Sequence, residues 1–300
     1  MQTLREDEAE NHYLGQFIPL HYHHNMLTDM NRMDNFKAAI EFTVFEGAKV
    51  LELGGGTGVL SCLAAATASK VWCVEFNPDL VAESRRLLAL NANGHKVEVV
   101  HADAFEYLPP EPVDVVICEM IHVAMLREKQ VEVIEAFKAR YRQRFGDKLP
   151  VFIPTAVIMA VQPLQQDYNF SGYYAPIIQF QRAHVEQPAT IELAPPQNYS
   201  VLDFTQPTSR EIAWQGSFKM ERDGTVTTLR FITKNILAIN PAQSATIDWL
   251  IDYLLLPLQH PIEVKAGDEL RVSFHHLAGG SIRSLERNIQ TTLIRADNKQ

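Results

Sequence analysis

Four acidic residues stand where they can do chemistry. Glu119 and Glu128 lie nine positions apart in CEMIHVAMLRE, residues 118–128, at the end of the apolar run PVDVVIC. Two converging carboxylates match the paired N–H groups of a planar guanidinium, and holding that cation by its other nitrogens fixes one terminal nitrogen in line with an electrophile. A close carboxylate also biases charge away from the attacking nitrogen. For Glu128 the competing role is a first-turn helix residue favoured by the helix dipole. Glu52 and Glu75 come earlier: Glu52 two residues before the first glycine of VLELGGGTG, residues 50–58, and Glu75 at the end of KVWCVE.

The spacing of Gly54, Gly56 and Gly58 separates two kinds of nucleotide site. A dinucleotide fingerprint reads G-x-G-x-x-G and sets a helix N-terminus against pyrophosphate. Here the run is G-x-G-x-G, preceded by an acid that would repel pyrophosphate. The ligand expected is cationic at an amino acid end and carries no phosphate, which describes S-adenosylmethionine, with S-adenosylhomocysteine as its product. Glu52 can reach the ammonium and Glu75 the two ribose hydroxyls. Asp103, with Ala104 beside it, follows the strand at 97–101 and is placed close to the adenine; a turn-forming role for Asp103 is the alternative.

These residues must be positioned by a scaffold, and the pattern around them is βαβ. Stretches 48–53, 70–75, 97–101, 113–118 and 151–161 read as buried strands of a mostly parallel sheet. One intervening helix opens with Asn77 as N-cap and Pro78 at its first position, carries Leu80, Val81, Leu87, Leu88 and Leu90 as its apolar face, and stops near Gly94. Another runs from about Arg127 to Phe145. From residue 163 the pattern turns to short alternating segments with turn residues such as Asp223-Gly224 and Gly267-Asp268 between them. The expected fold is α/β: a Rossmann-like methyltransferase domain over 1–154, then a C-terminal β-sandwich or barrel over 155–300. In an open sheet of this kind ligands sit beyond the carboxyl ends of the strands, which puts Glu119 at the same rim as the glycine turn.

With those motifs in hand, the chain resembles the protein arginine N-methyltransferases. VLELGGGTG, Glu75, the Glu119 and Glu128 pair, FIPTAVIMAVQP and a β domain after it carry the resemblance, together with HYHHNMLTDMNRMDNFKAAI, which is similar to that family's cofactor-covering helices. The resemblance implies that His23 and Arg32 lie near the cofactor, with Arg32 on its methionine carboxylate, and that Met26 lines the acceptor pocket. It also implies a head-to-tail homodimer built through an arm, here residues 168–180, whose aromatics can equally be β-domain core. The chain departs from the family at Met120-Ile121-His122, where the family has a tryptophan or similar residue followed by Met-Gly. It departs again at Ile247-Asp248-Trp249, where Asp248 replaces a histidine and Trp249 is kept. His122, Asp248 and Trp249 therefore join the expected pocket.

Composition narrows the partners. A formal charge of −9 offers no attraction for nucleic acid backbones and favours a cationic protein, peptide or small-molecule acceptor. No leader or membrane-spanning run is read, and Cys62, Cys73 and Cys118 fall in apolar segments without metal or disulfide spacing, so a cytoplasmic enzyme is expected. The HYHH run and the pair His275 and His276 are read as solvated, with no metal. The basic residues Lys138, Arg140, Arg142 and Arg144 are read as the solvated face of a helix. Two other functions stay open: a methyltransferase of this fold acting on a small amine, guanidine or hydroxyl, and a non-catalytic cofactor-binding partner subunit.

Overall fold

The computed structural model describes residues 20–296; the acidic N-terminal run on which the expectation of a leaderless chain rests lies outside them. Two helices open the described chain, α1 (Leu20–Thr28) and α2 (Met30–Thr43). Asp29 caps α2 by accepting the Arg32 N–H at 3.0 Å. Then follow β1 (Lys49–Leu53), α3 (Val59–Ala64), β2 (Lys70–Glu75), α4 (Pro78–Ala89), β3 (Val97–His101), β4 (Val115–Cys118), α5 (Gln130–Phe145) and β5 (Val151–Ile153). The five strands form one parallel sheet in the order β3-β2-β1-β4-β5. The order reverses at β1, so the crevice beyond β1 and β4 is the place where such a sheet takes a ligand.

The cap of α4 is the expected one, Asn77 accepting the Asp79 N–H at 2.9 Å. Its apolar face is narrower than expected: Leu90 is 72% exposed, because the helix has ended at Ala89 and Leu90 lies past the turn that meets the sheet. The basic face of α5 also needs correction at one residue. Lys138 is fully buried, its Nζ donating to the Phe204 carbonyl at 3.2 Å and the Gln206 carbonyl at 2.5 Å, with Glu135 as counter-ion at 2.5 Å. A buried ammonium is tolerated only with such partners.

The stretch 151–161 is two strands rather than one. The chain turns at Pro154 and enters β6 (Ala156–Gln166), the start of an antiparallel region. There follow β7 (Asn169–Phe170), β8 (Tyr173–Tyr174), β9 (Gln179–Gln181), β10 (Thr190–Glu192), β11 (Gln197–Asp203), β12 (Glu211–Lys219), β13 (Gly224–Asn240), β14 (Ala245–Leu250), β15 (Tyr253–Val264), β16 (Glu269–Leu277), helix α6 (Ile282–Asn288) and β17 (Gln290–Ile294). A seven-stranded sheet built on β6, β13 and β15 faces a three-stranded sheet β12-β16-β17, while β7 and β8 form a separate small hairpin. The short α6 was not anticipated in an all-β reading; Ser281 caps it by accepting the Ser284 N–H at 3.0 Å. One apolar core runs through both regions, joining Leu51, Val74 and Phe137 to Phe218, Phe231 and Phe274. A second holds α2 on the sheet, with Phe36 and Ile40 against Leu60, Val71 and Trp249. Among the described residues no helix is long and apolar enough to cross a membrane.

Candidate active site

Because the strands are parallel, their carboxyl ends share a rim, and a cavity of about 1190 Å³ opens there. The turn after β1 forms its floor. Gly54 and Gly56 take positive φ of 78° and 53°, and a Cβ on Gly56 would come within 2.9 Å of the His23 ring. Gly55, outside the G-x-G-x-G spacing, also lines the cavity and leaves no room for a side chain above Cys73. Gly58 does not line it. That glycine ends the turn in the left-handed conformation at the start of α3, over Leu88, so it shapes the loop from behind.

The acids at the rim are each held differently. Glu75 lines the cavity, its Oε2 accepting the Gly56 N–H and its Oε1 the Asn77 N–H, both at 2.8 Å. Oxygens with one bond each keep lone pairs for a ligand hydroxyl. Glu52 is buried and its Oε2 accepts the Ser61 N–H at 2.9 Å and the Ser61 hydroxyl. Burial pushes its carboxyl up to about 7. Asp103 and Ala104 line the cavity, with Asp103 also closing a turn by accepting the Phe105 N–H at 2.8 Å.

Glu119 leaves the end of β4, and Glu128 returns just before α5, in the loop rather than in the first helical turn. Both carboxylates line the cavity. Arg32, from α2, places its Nη2 on Glu119, so the protein itself supplies an anion for this buried guanidinium. Burial opposes its charge, but Glu119, with Asp29 and Glu52, more than offsets that and holds its pKa above the ordinary range. Its Nε has no partner among the described residues. Glu128 is pushed up to about 8, first by desolvation and then by the Glu119 charge.

His23, from α1, is buried against the glycine turn with its Nε2 unpartnered, and desolvation lowers its pKa, so the neutral imidazole faces the site. Met26, His122 and Trp249 also line the cavity. Burial lowers His122 to about 4; its Nδ1–H donates to the Val123 carbonyl at 3.0 Å and its ring stands edge-on to Phe180 at 5.8 Å. Asp248 is not part of the cavity. Strand alternation along β14 turns its carboxylate away from Trp249, onto Lys234 at 3.1 Å and Thr246 at 2.9 Å. The acid that does reach the rim is Asp252, four residues on, whose pKa burial raises. Phe76, Phe105 and Phe180 add aromatic rings to the lining. The sequence signal for Asp252 was an acid in the connection between two apolar strands, which resembles any turn residue.

The donor set suits an adenosyl amino acid. Unpartnered nitrogens on His23 and Arg32 can take a carboxylate, Glu75 can take hydroxyls, the glycine turn admits close approach, and the nearby acids suit a sulfonium. Residues 50–143 match the model of a methyltransferase domain family, so the chain carries a methyltransferase domain and its cofactor is S-adenosylmethionine. The likeness to protein arginine N-methyltransferases runs through both sequence and fold. Protein arginine N-methyltransferase 10 of Arabidopsis thaliana is 31% identical over 158 residues, 52% of this chain and 40% of that protein, so the match covers less than half of that relative. The crystal structure of the Arabidopsis thaliana protein arginine methyltransferase 10 superposes with a TM-score of 0.75 at 18% identity, over 94% of this chain and 95% of that one. An uncharacterised protein of Methanocaldococcus jannaschii is 25% identical over 268 residues, 89% of this chain and 96% of that protein.

Proposed function

We propose that this methyltransferase acts on the guanidinium of an arginine side chain in a protein or peptide. The observation that carries the reading is the convergence of Glu119 and Glu128 on one cavity beside the glycine turn. His23 and Arg32 would hold the cofactor's carboxylate, Glu75 its ribose hydroxyls, and Asp103 with Ala104 would flank its adenine; Glu52 can offer the ammonium only what Ser61 leaves free. The bound cofactor supplies an electrophilic methyl group on a sulfonium. Glu119, fixed by Arg32, and Glu128, enclosed at the loop's end, grip the acceptor by its nitrogens and leave one lone pair directed at that methyl group. Arrival of the cation exchanges for the proton that Glu128 carries at neutral pH, because desolvation and the Glu119 charge push its carboxyl up to about 8.

The remaining expectations follow from the same reading. Residues 1–154 serve as the cofactor-binding part and residues 155–300 as the β part that covers the acceptor. Two copies assemble through the arm at 168–180. In support, Tyr173 is 73% and Ile177 60% exposed, so most of the arm's apolar side chains find no core in one chain; Tyr168 alone among its aromatics is fully buried.

The deciding experiment follows labelled methyl transfer from S-adenosylmethionine to arginine-rich peptides, free arginine, other guanidines and simple amines. Peptide labelling that falls by about 10² or more in Glu119→Gln, with S-adenosylhomocysteine still bound, is the expected result. Labelling confined to amines or hydroxyls, or untouched by Glu119→Gln, overturns the arginine reading. Cofactor binding with no turnover on any acceptor would point to the non-catalytic partner instead.

A further inference from the structure

We infer that His276, on β16, is a positioning residue for the two glutamates, acting through the backbone of Ala124. The inference rests on the acceptor clamp assigned to Glu119 and Glu128 above. Between those acids the chain adopts a conformation that L-residues avoid: Ala124, Met125 and Arg127 have φ of 57°, 54° and 62°. No glycine relieves these positions, so contacts from outside the loop must hold them. Those contacts come from the antiparallel region. The Ala124 N–H donates to the Thr233 hydroxyl on β13 at 2.7 Å, and the Ala124 carbonyl accepts the His276 Nε2–H at 3.0 Å. One left-handed residue is thus gripped on both sides by buried side chains from two different sheets. The Gly279 N–H on the Met125 carbonyl at 2.8 Å and the Arg127 N–H on the Gly280 carbonyl at 2.7 Å hold the rest of the loop.

His276 differs from those backbone contacts in being replaceable. In sequence His276 reads with His275 as a solvated pair, but alternation along β16 exposes His275 and leaves His276 at 3% exposure, boxed by Tyr199 and Phe274. Its Nδ1 has no partner among the described residues, and burial keeps the ring neutral, with a pKa of about 4. Among the described residues the bond to Ala124 is the one hydrogen bond the ring makes. Losing it would leave a buried carbonyl unpaired in the strained segment.

The test compares His276→Leu, which removes the donor, with His276→Gln, whose side-chain amide can supply it again. Thr233→Val removes the other grip on Ala124 should His276→Leu fail to fold. Four readouts are taken: amide exchange of the 119–128 segment, kcat and KM for the arginine peptide, affinity for S-adenosylhomocysteine, and melting temperature. In His276→Leu or Thr233→Val, loop exchange and kcat/KM should each change by about tenfold or more, while S-adenosylhomocysteine affinity holds within about threefold; His276→Gln should restore both. Loop exchange that stays at the wild-type level in His276→Leu and Thr233→Val overturns the inference. So does a His276→Gln protein as impaired as His276→Leu. If the wild type labels no arginine peptide, the functional reading has failed, and the exchange comparison still decides the role of His276.

Discussion

At the scale of single residues, the site sets stability against use. Glu128 has a carboxyl near 8 against an ordinary value of 4.5, so the folded chain keeps a proton there that the unfolded chain has released. The penalty is absent below about pH 4.5 and grows as pH climbs toward 8, because over that window the folded state binds more protons. Glu128→Gln should therefore raise stability by roughly 2–4 kcal/mol at pH 8 and by little at pH 5, while removing methyl transfer. Thermal unfolding at the two pH values checks it, and an equal gain at both would refute the electrostatic cause. The same carboxyl predicts that kcat/KM rises with pH, about tenfold per unit, up to the region of pH 8 and then levels off. Glu75 and Glu119 were legible in sequence, because an acid that ends a buried apolar run must emerge at the ligand rim. The binding of Glu52 by Ser61 and the turning of Asp248 toward Lys234 were not, since each depends on a partner from another part of the chain.

At the scale of elements, the turn after β1 does most with least. A methyl group on Gly56 would press on the His23 ring and sit at an unfavourable φ, so Gly56→Ala should weaken S-adenosylhomocysteine binding about tenfold or more. Calorimetric titration of the product onto the variant tests this; unchanged affinity would mean that the turn and α1 separate at little cost. The parallel strands, the α4 cap and the glycine turn could be read from local pattern, because periodicity and capping act over a few residues. The break at Pro154 within one apolar run could not, as the residues on either side of it, 151–153 and 156–161, are alike apolar and differ in which sheet receives them. Lys138 was misread for a similar reason. Its spacing on α5 is that of a solvated face, and only the carbonyls of Phe204 and Gln206 reveal that the face is covered.

At the scale of the whole molecule, the loop at 119–128 shows how distant sequence holds a site together, and the arm at 168–180 leaves an apolar surface that one chain does not cover. The arm leaves Phe170, Tyr173, Tyr174 and Ile177 in solvent, so a second copy is the expected cover. Sedimentation should show a dimer at micromolar concentration, and Tyr173→Ser combined with Ile177→Ser should shift it to monomer; a wild-type monomer would remove the proposal. The loop carries a different consequence, one of timing. Its anchor at His276 lies 152 residues after Ala124, and at a synthesis rate of about 5–20 residues per second the ribosome needs roughly 8–30 s to reach it. Until then the cofactor turn and both glutamates exist without His276, and for the first 109 residues of that interval without Thr233 as well. A chain that stops short of β16 therefore carries the cofactor turn and both glutamates without the His276 contact to the loop between them, and on the proposed reading should bind S-adenosylhomocysteine while transferring little methyl.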